Sequence, residues 1–405
     1  MAAQTRSSSI LAVNVGSSSI KVSKYQADVR FHPERFGSAE RISQHGTDLI
    51  VSATGNRPRR EWTLAAADHR AAFLALIEAL QHGDEGNGVL AVGHRIVHGG
   101  PAYTVPVLIT PSVLEDLRDL VPVDPDHLPQ ALDVIETARD VFPHCPQVAC
   151  FDTAFHRTMP PVARRYPLPA RYARDGIVRY GFHGLSCESI VDELRRLEEL
   201  PERLVVAHLG SGASLTAIRA GESVETTMGY SPAGGIMMGT RTGDLDPGVL
   251  LALLQREGMD AGAINQLVNK DAGLLGVSGR SADMRDLLDH EPDDADAAMA
   301  VALYVHRART ALGGLVAVLG GLDALVFTGG IGEHAAPVRD RICAGFGFLG
   351  LRLDDRRNRD GSAVVSDDGS AVTVRVMPTD ENLVIARHTL DVLPTINEGL
   401  TDVPV

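Results

Sequence analysis

The sequence predicts an α/β fold built from two related halves. The first observation is one kind of turn used twice, about half the chain apart. Residues 10–15 run into Gly16-Ser17-Ser18-Ser19 and leave through Ile20-Lys21-Val22; residues 204–209 run into Gly210-Ser211-Gly212-Ala213-Ser214 and leave through residues 215–218. Each is an apolar strand, a Gly/Ser turn and a second strand. Such a turn aims backbone N–H groups and hydroxyls into one small space that suits phosphate. The second observation is that apolar runs of strand length alternate with stretches of helical periodicity, the pattern of an α/β class. The third is bulk: 405 residues, 44% hydrophobic and 22% charged, suffice for two or three domains, each with its own core. Two phosphate-type turns imply two halves closing on a nucleotide.

The elements follow in order. Residues 1–9 are polar and read as a frayed lead-in. The hairpin around Gly16 comes next, and polar, irregular sequence follows through Arg60. Residues 68–82 are expected as a helix, with Phe73, Leu74, Ile77 and Leu80 on one apolar face. Residues 89–92 form a short buried strand feeding a loop that holds Gly93-His94-Arg95 and His98-Gly99-Gly100. Ser112 is the expected N-cap of a helix through Leu120. A Pro-rich link over 122–129 leads to a helix over 130–140, and residues 147–151 are a strand ending at Asp152.

The second half repeats the style. After the hairpin around Gly210 comes a Gly/Met-rich loop over 226–246, then helices over 247–257, 260–270 and 294–318. Residues 324–327 are a strand opening into Thr328-Gly329-Gly330-Ile331-Gly332. Residues 354–370 are polar and read as a surface loop or hairpin, 372–376 as a late strand and 382–390 as a closing helix. The most apolar stretch, 311–327, holds four glycines and Asp323, so it reads as a buried helix and strand rather than a membrane span.

A net charge of −14 argues against a nucleic-acid or anionic-membrane partner, which would need a basic face. It leaves room for an anionic substrate, because a few local arginines outweigh acidic surface beyond a Debye length. Cys145, Cys150, Cys187 and Cys343 show no CxxC pairing, and reduced thiols in a cytoplasmic protein are expected. The absence of Walker A, GxSxG, HExxH and Cys/His metal patterns argues against a P-loop NTPase, an α/β-hydrolase and a zinc enzyme.

Several residues carry chemistry, each beside a plainer reading. Strand alternation puts Ser17, Ser19 and Lys21 on one face near Asn14, where hydroxyls and an ammonium meet one anion; a bare hairpin is the alternative. Arg95 is either a structural arginine or a fork for carboxylate or phosphate. Asp152 is either a helix N-cap or a carboxylate at the mouth of a sheet, where α/β proteins bind ligands. His183, between Phe182 and Gly184 in a Gly-flanked string, is a donor to a developing phosphoryl charge or a packed imidazole. Arg241 sits among small residues in the Gly/Met loop, a setting more functional than structural. Asp283-Met284-Arg285 and Gly330-Ile331-Gly332-Glu333-His334 follow or border buried segments; the second is a strand-to-turn-to-helix signal compatible with a purine or ribose seat, or a plain structural turn.

Taken together, NVGSSSIK, GHRIVHGG, FDTAFHRTMP, RYGFHG, HLGSGAS, TTMGYSPAGGIMMGTRTGDLDP, GLLGVSGRSADMR, FTGGIGEH and PTDENLVIAR resemble the acetate kinase (acetokinase) family, from Asn14 to Ala386. The resemblance implies two duplicated actin-like, ribonuclease H-like domains with a nucleotide cleft between them. Residues 1–151 with 385–405 would form the N-terminal domain, and 152–384 the nucleotide-binding one. It implies reversible phosphoryl transfer from ATP to acetate, giving acetyl phosphate and ADP, in a cytoplasmic homodimer. Mg²⁺ is the implied metal, with Mn²⁺ as an alternative, held by Asn14 and Glu381.

Residue by residue, the resemblance assigns Lys21, with Ser17 and Ser19, to nucleotide phosphate and Arg95 to the substrate carboxylate. Asp152 matches the active-site acid, and His183 and Arg241 the transition-state stabilisers. His208, Leu209, Gly210, Ser211 and Gly212, Asp283 to Arg285, and Gly330 to His334 match the nucleotide strings. Val97, Phe182 and Pro232 match the walls around the acetate methyl. The sequence departs from the family pattern at Asp126-His127-Leu128-Pro129, where an apolar residue and an asparagine are usual. It departs also at Leu185 and Cys187, and at Thr379-Asp380-Glu381-Asn382. These changes touch acyl-chain preference and leave the chemistry set intact.

The implied nucleophile is a carboxylate with a pKa of about 4.3, so no base is needed to create it. The obstacle is repulsion between anions, about 4 kcal/mol for two unit charges at roughly 4 Å and an effective dielectric of about 20. Arg95, Arg241, His183 and the metal answer that need, while Asp152 is expected to orient Arg241 or metal-bound water, or to assist proton balance in reverse. The alternatives are a kinase for propionate, butyrate or a longer acid, a nucleotide-gated interaction protein, and a simple ATP hydrolase.

Overall fold

A computed structural model describes residues 8–28, 31–42, 46–53, 59–65, 68–81 and 88–399. Most of the expected lead-in, residues 1–7, lies outside the described residues, as do His82 and residues 400–405. The chain forms two compact units, Met1–Ala154 with Asp380–Val405, and Phe155–Thr379.

The first unit opens with β1 (Ser9–Val15) and β2 (Ser19–Gln26), paired antiparallel about the Gly16 turn. The expected irregular stretch is instead three further antiparallel strands, β3 (Pro33–Glu40), β4 (Thr47–Ala53) and β5 (Arg60–Leu64). The buried positions of β3 include the small Gly37, Ser38 and Ala39, whereas β4 turns Leu49 and Val51 into the core. At Gly37 a Cβ would sit 3.2 Å from Leu76 Cδ2, so the helix α1 (His69–Gln81) packs directly on backbone there. Phe73, Leu76, Ile77 and Leu80 form the buried face of α1. Leu74, expected inside, is 39% exposed, because one step along a helix turns the side chain about 100° away.

Strand β6 (Val89–Ile96) is longer than expected: His94 and Arg95 lie within it, not in a loop. It is a central strand, parallel to β1 on one side and to β8 (Gln147–Phe151) on the other, with Arg95 opposite Cys150. Between them come β7 (Val107–Leu108), α2 (Pro111–Asp119) and α3 (Leu128–Val141). The N-cap of α2 is Thr110, whose Oγ1 accepts from Val113 N–H at 3.3 Å, rather than Ser112, which is already in the first turn. Pro111 at the first helical position sets that start. The sheet order is β5-β4-β3-β2-β1-β6-β8-β7.

In the second unit, a 3₁₀ turn (Ala154–Thr158) and the short helices α4 (Pro161–Arg164) and α5 (Ala170–Arg174) precede α6 (Gly184–Arg196). Its sheet holds β9 (Arg203–Leu209), β10 (Ala213–Arg219) and β11 (Glu222–Thr226). Loop 227–246 then leads to α7 (Pro247–Arg256) and α8 (Ala261–Gln266), which passes into a π-turn, Leu267–Asp271. Next come α9 (Gly273–Ser278), α10 (Met284–His290) and the long α11 (Ala295–Leu319). Strand β12 (Ala324–Thr328) runs into α12 (Gly329–His334), then α13 (Ala336–Cys343), α14 (Asp355–Arg359) and β13 (Thr373–Val376). The stretch over 354–370 thus holds a helical turn as well as isolated bridges. Asp246, Asp260, Asp283, Asp294 and Asp354 each accept a backbone N–H at a helix start.

The sheet order here is β11-β10-β9-β12-β13. Its antiparallel trio followed by two parallel strands repeats β3-β2-β1-β6-β8 of the first unit. The two sheets therefore share one ribonuclease H-like core, and the doubled hairpin is its sequence trace. Leu204, Val206, Ile218 and Val326 of this sheet pack on Ile190, Val191 and Leu194 of α6. Among the described residues no helix is long and apolar enough to cross a membrane. The four cysteines form no disulfide.

The last described element, α15 (Glu381–Gly399), packs across β1, β6 and β8 of the first unit. Gly93 makes the approach possible: a Cβ there would lie 2.0 Å from Thr389 Oγ1 and 2.7 Å from Ile385 Cγ2. Asn382 Nδ2 donates to Ser23 Oγ at 2.7 Å, and Tyr25 Oη to Asp380 Oδ1 at 3.1 Å.

Candidate active site

In the first unit, four sequence-predicted residues meet at neighbouring strand ends. Asn14 lies near the end of β1, Arg95 near the end of β6, Asp152 just after β8, and Glu381 opens α15. Parallel strands side by side deliver such residues to one rim. Asn14 Nδ2 donates to Glu381 Oε2 at 2.7 Å. Arg95 donates from Nε and Nη2 to Asp152 Oδ2, at 3.2 and 2.5 Å, and from Nη1 to Asn14 Oδ1 at 3.4 Å. Its Nε also lies 3.8 Å from Glu381 Oε2. Burial pulls the Arg95 guanidinium down, but Asp152 and Glu381 more than reverse this, and it is held above its ordinary value. Asp152 therefore serves no helix as a cap; it is a fully buried carboxylate compensated by Arg95.

The donor set bears on the metal. Asp152 Oδ1 is buried without a hydrogen-bond partner, although buried acceptors normally find donors. Asn14 and Glu381 add an amide oxygen and a carboxylate. Hard oxygens of this kind fit Mg²⁺, which usually takes one or two carboxylates and completes its shell with water and phosphate. Among the described residues no group of three His, Cys, Asp or Glu side chains is placed to hold a metal alone.

The hairpin turn closes through Gly16 N–H to the Ser19 carbonyl at 2.8 Å. Ser17 lies in the bend before β2, so the expected shared strand face holds for Ser19 and Lys21 but not for Ser17. Lys21 is exposed and opposes the rise that burial imposes on the Glu40 carboxyl. Val97, just past β6, is buried.

In the second unit, His183 and Arg241 converge on the Gly210–Gly212 turn. A Cβ at Gly212 would meet His183 Nε2 at 3.4 Å and Arg241 Nη1 at 3.7 Å. His183 caps α6 in the left-handed region, with φ of 59°, and its Nδ1 is 2.9 Å from Ser214 Oγ. Its ring stacks on His208 with centroids 4.1 Å apart, and His208 Nδ1 is 2.7 Å from Ser186 Oγ. Arg241 Nη1 donates to the Pro232 carbonyl at 3.2 Å. Gly273, with φ of 64°, lets loop 227–246 close: a Cβ there would strike Met238 O at 2.3 Å and Arg241 N at 2.9 Å. Phe182 is buried and Pro232 half-buried.

The nucleotide strings divide. Gly210 N–H donates to Gly212 O at 3.0 Å, and Gly239 N–H to Ser211 O at 3.2 Å, so turn and loop are laced together. Gly329 abuts the same turn, since a Cβ there would lie 2.8 Å from Leu209 O. Residues Gly330, Ile331, Gly332, Glu333 and His334 form α12, with Glu333 Oε1 accepting from Gly329 N–H at 3.0 Å. Asp283 Oδ1 caps α10 by accepting from Arg285 N–H at 2.8 Å, Met284 is buried, and the Arg285 side chain is 87% exposed. The serines that hold the imidazoles, Ser186 and Ser214, escaped sequence reasoning; only the position of Ser214 inside HLGSGAS hinted at it.

The Acetokinase family model matches residues 9–387. The chain belongs to the acetokinase family. It is 44% identical over 400 residues to an acetate kinase of Rhizobium meliloti, covering 96% of this chain and 99% of that one. Its fold is similar to that of a propionate kinase from Francisella tularensis subsp. tularensis SCHU S4, with a TM-score of 0.87, 33% identity, and 95% and 99% of the two chains covered. It is similar also to Porphyromonas gingivalis acetate kinase, with a TM-score of 0.83, 36% identity, and 95% and 100% covered. The family shown is the one that the sequence motifs resembled.

Proposed function

We propose that this member of the acetokinase family transfers a phosphoryl group reversibly between ATP and acetate, giving acetyl phosphate and ADP. The observation that carries the reading is the convergence of His183 Nε2 and Arg241 Nη1 on a phosphate-type Gly turn. An already ionised carboxylate attacks the γ-phosphorus in line, and the β–γ bridging oxygen leaves with ADP. The cost to be met is charge repulsion, and catalysis rests on positioning and neutralisation. In this reading Arg241 and His183 donate to the phosphoryl oxygens as charge spreads over them. Ser214 and His208 hold the His183 ring in place. Arg95 takes the substrate carboxylate, and Asp152, buried and bonded to Arg95, sets its direction. Val97, Phe182 and Pro232 wall the acyl methyl. Ser17, Ser19, Lys21, His208–Gly212, Asp283–Arg285 and Gly330–His334 take the nucleotide. Asn14 and Glu381 would hold Mg²⁺ or Mn²⁺, which supplies charge neutralisation at the phosphates when bound.

The test is hydroxamate formation from ATP, hydroxylamine and acids of one to four carbons. Acetate-dependent product with ADP in equal amount supports the reading; ADP release that ignores the acid would replace it with a hydrolase. A second reading, a propionate-type kinase, is favoured by the similarity to the Francisella propionate kinase. A clear preference for a longer acid in the same series would select it. We also propose that the protein is a cytoplasmic homodimer; sedimentation of the purified protein checks the dimer, and fractionation of cells checks the compartment.

A further inference from the structure

The string FDTAFHRTMP holds a second ionisable residue that the reaction does not use. His156 is 1% exposed and lies in the 3₁₀ turn Ala154–Thr158. Its Nε2 is 2.9 Å from the Phe182 carbonyl, and its Nδ1 is 2.9 Å from Ser223 Oγ. A carbonyl only accepts, so Nε2 carries the proton and donates. Nδ1 of the neutral ring then accepts from the Ser223 hydroxyl. Phe155 packs edge-on to the ring with centroids 5.7 Å apart.

The ring also forms the floor under Gly181. That residue has φ of 76°, and a Cβ there would lie 2.7 Å from His156 Cδ2 and 2.5 Å from Thr226 Cγ2. The N–H groups of Tyr180 and Gly181 donate to Gly229 O at 3.0 and 3.3 Å. The segment is therefore gripped on its near side at Gly229 and at the Phe182 carbonyl by His156. The next residue is His183, with φ of 59° and no glycine to ease it. A side-chain-bearing residue stays in the left-handed region only where its surroundings over-determine it. The Phe182–His183 peptide is the unit that His156 fixes, because the Phe182 carbonyl belongs to it.

We propose that His156 is a positioning residue for phosphoryl transfer: its Nε2–H bond to Phe182 O holds His183 in its left-handed conformation and so aims the His183 imidazole at the Gly212 turn. This rests on the proposed role of His183. The same short turn follows Asp152 in the chain, so one segment carries both the partner of Arg95 and the brace of His183.

Two amide substitutions separate the ring's bonds. In His156→Gln the amide N–H reaches as far as Nε2 and keeps the bond to Phe182 O. In His156→Asn the shorter amide oxygen replaces only Nδ1 and keeps Ser223. The expected result is that H156Q stays within about threefold of the parent in kcat, whereas H156N falls on the order of 10²-fold, the loss that follows misplacement of a catalytic group. KM for ATP should move less than about threefold in both, since misplacement of His183 acts on the transition state. Ser223→Ala, which spares the Phe182 bond, should behave like H156Q. Equal kcat in H156N and H156Q, or a loss in S223A as large as in H156N, would overturn the proposal and leave His156 a packing residue. Long-range ¹H–¹⁵N spectra of the imidazoles read the same point without turnover: the His183 signals should shift in H156N and hold in H156Q. Unmoved His183 signals in H156N would also overturn it. If the parent enzyme shows no acid-dependent ADP formation, the kinase reading fails by itself and the spectra still decide the brace.

Discussion

Arg95 and Arg241 are both arginines beside a Gly-rich string, yet their surroundings assign them different failures. Arg241 donates to a carbonyl and leans on the Gly212 turn, so its loss costs chemistry more than folding. Arg241→Ala should lower kcat on the order of 10³-fold, as for arginines that stabilise a transferring phosphoryl group; a loss below about tenfold would deny it that role. Arg95 compensates Asp152, which is fully buried. Arg95→Ala should therefore raise KM for the acid more than for ATP and also cost about 3–5 kcal/mol of stability, read in urea melts. Adding Asp152→Asn should restore most of that stability by removing the stranded charge, and leave the KM defect in place. If the single and double variants are equally unstable, the pair is not the stabilising unit. The chemistry of these residues was legible because each sits in a Gly-flanked string. Their braces were not: Ser214, Ser186 and His156 act through side-chain bonds made across tens of residues, which no spacing rule encodes.

At the level of elements, legibility followed how strongly each segment's pattern marks its surroundings. The two hairpins and the strands β8 and β12 are apolar runs bounded by turns, and their positions could be read directly. Strands β3 to β5 could not: the buried positions of β3 include Gly37, Ser38 and Ala39, which make no apolar run, and β4 and β5 carry only Leu49 to Val51 and Trp62 between polar residues. Strand β6 was cut short in reading because His94 and Arg95 look like loop residues, while the parallel ladder on both sides carries them inside. That placement has a pH consequence. Burial pushes the His94 imidazole down to about 4, against which its bond to Gln147 at 2.8 Å acts only partly. The unfolded chain binds the proton near its ordinary value of about 6.5, so between about 4 and 6.5 the unfolded state holds more protons and stability falls as pH drops. Up to about 3 kcal/mol should be lost across that window. Urea midpoints measured from pH 7 to pH 4 should show this slope in the parent and a shallower one in His94→Asn. An unchanged slope would place the acid sensitivity elsewhere.

For the molecule as a whole, the chain's order and its compact units do not coincide. The second unit, Phe155–Thr379, is continuous in sequence, whereas the first is completed only by Asp380–Val405. Helix α15 covers the face of β1, β6 and β8 with Val384, Ile385 and Ala386, all buried, and it carries Glu381 to Asn14. Burying a side chain such as Val384 or Ile385 stabilises by about 1.5–3 kcal/mol, and net stabilities are only about 5–15 kcal/mol, so one uncovered sheet face can decide folding. A fragment of residues 155–379 should then melt cooperatively by itself. A fragment of residues 1–154 should not, and should gain a cooperative transition when a peptide of residues 380–405 is added. Circular dichroism melts of the three samples check this. A cooperative melt of 1–154 alone would mean that α15 contributes Glu381 to the site but little to the fold, and the need for the chain to return to its first unit would then be chemical rather than structural.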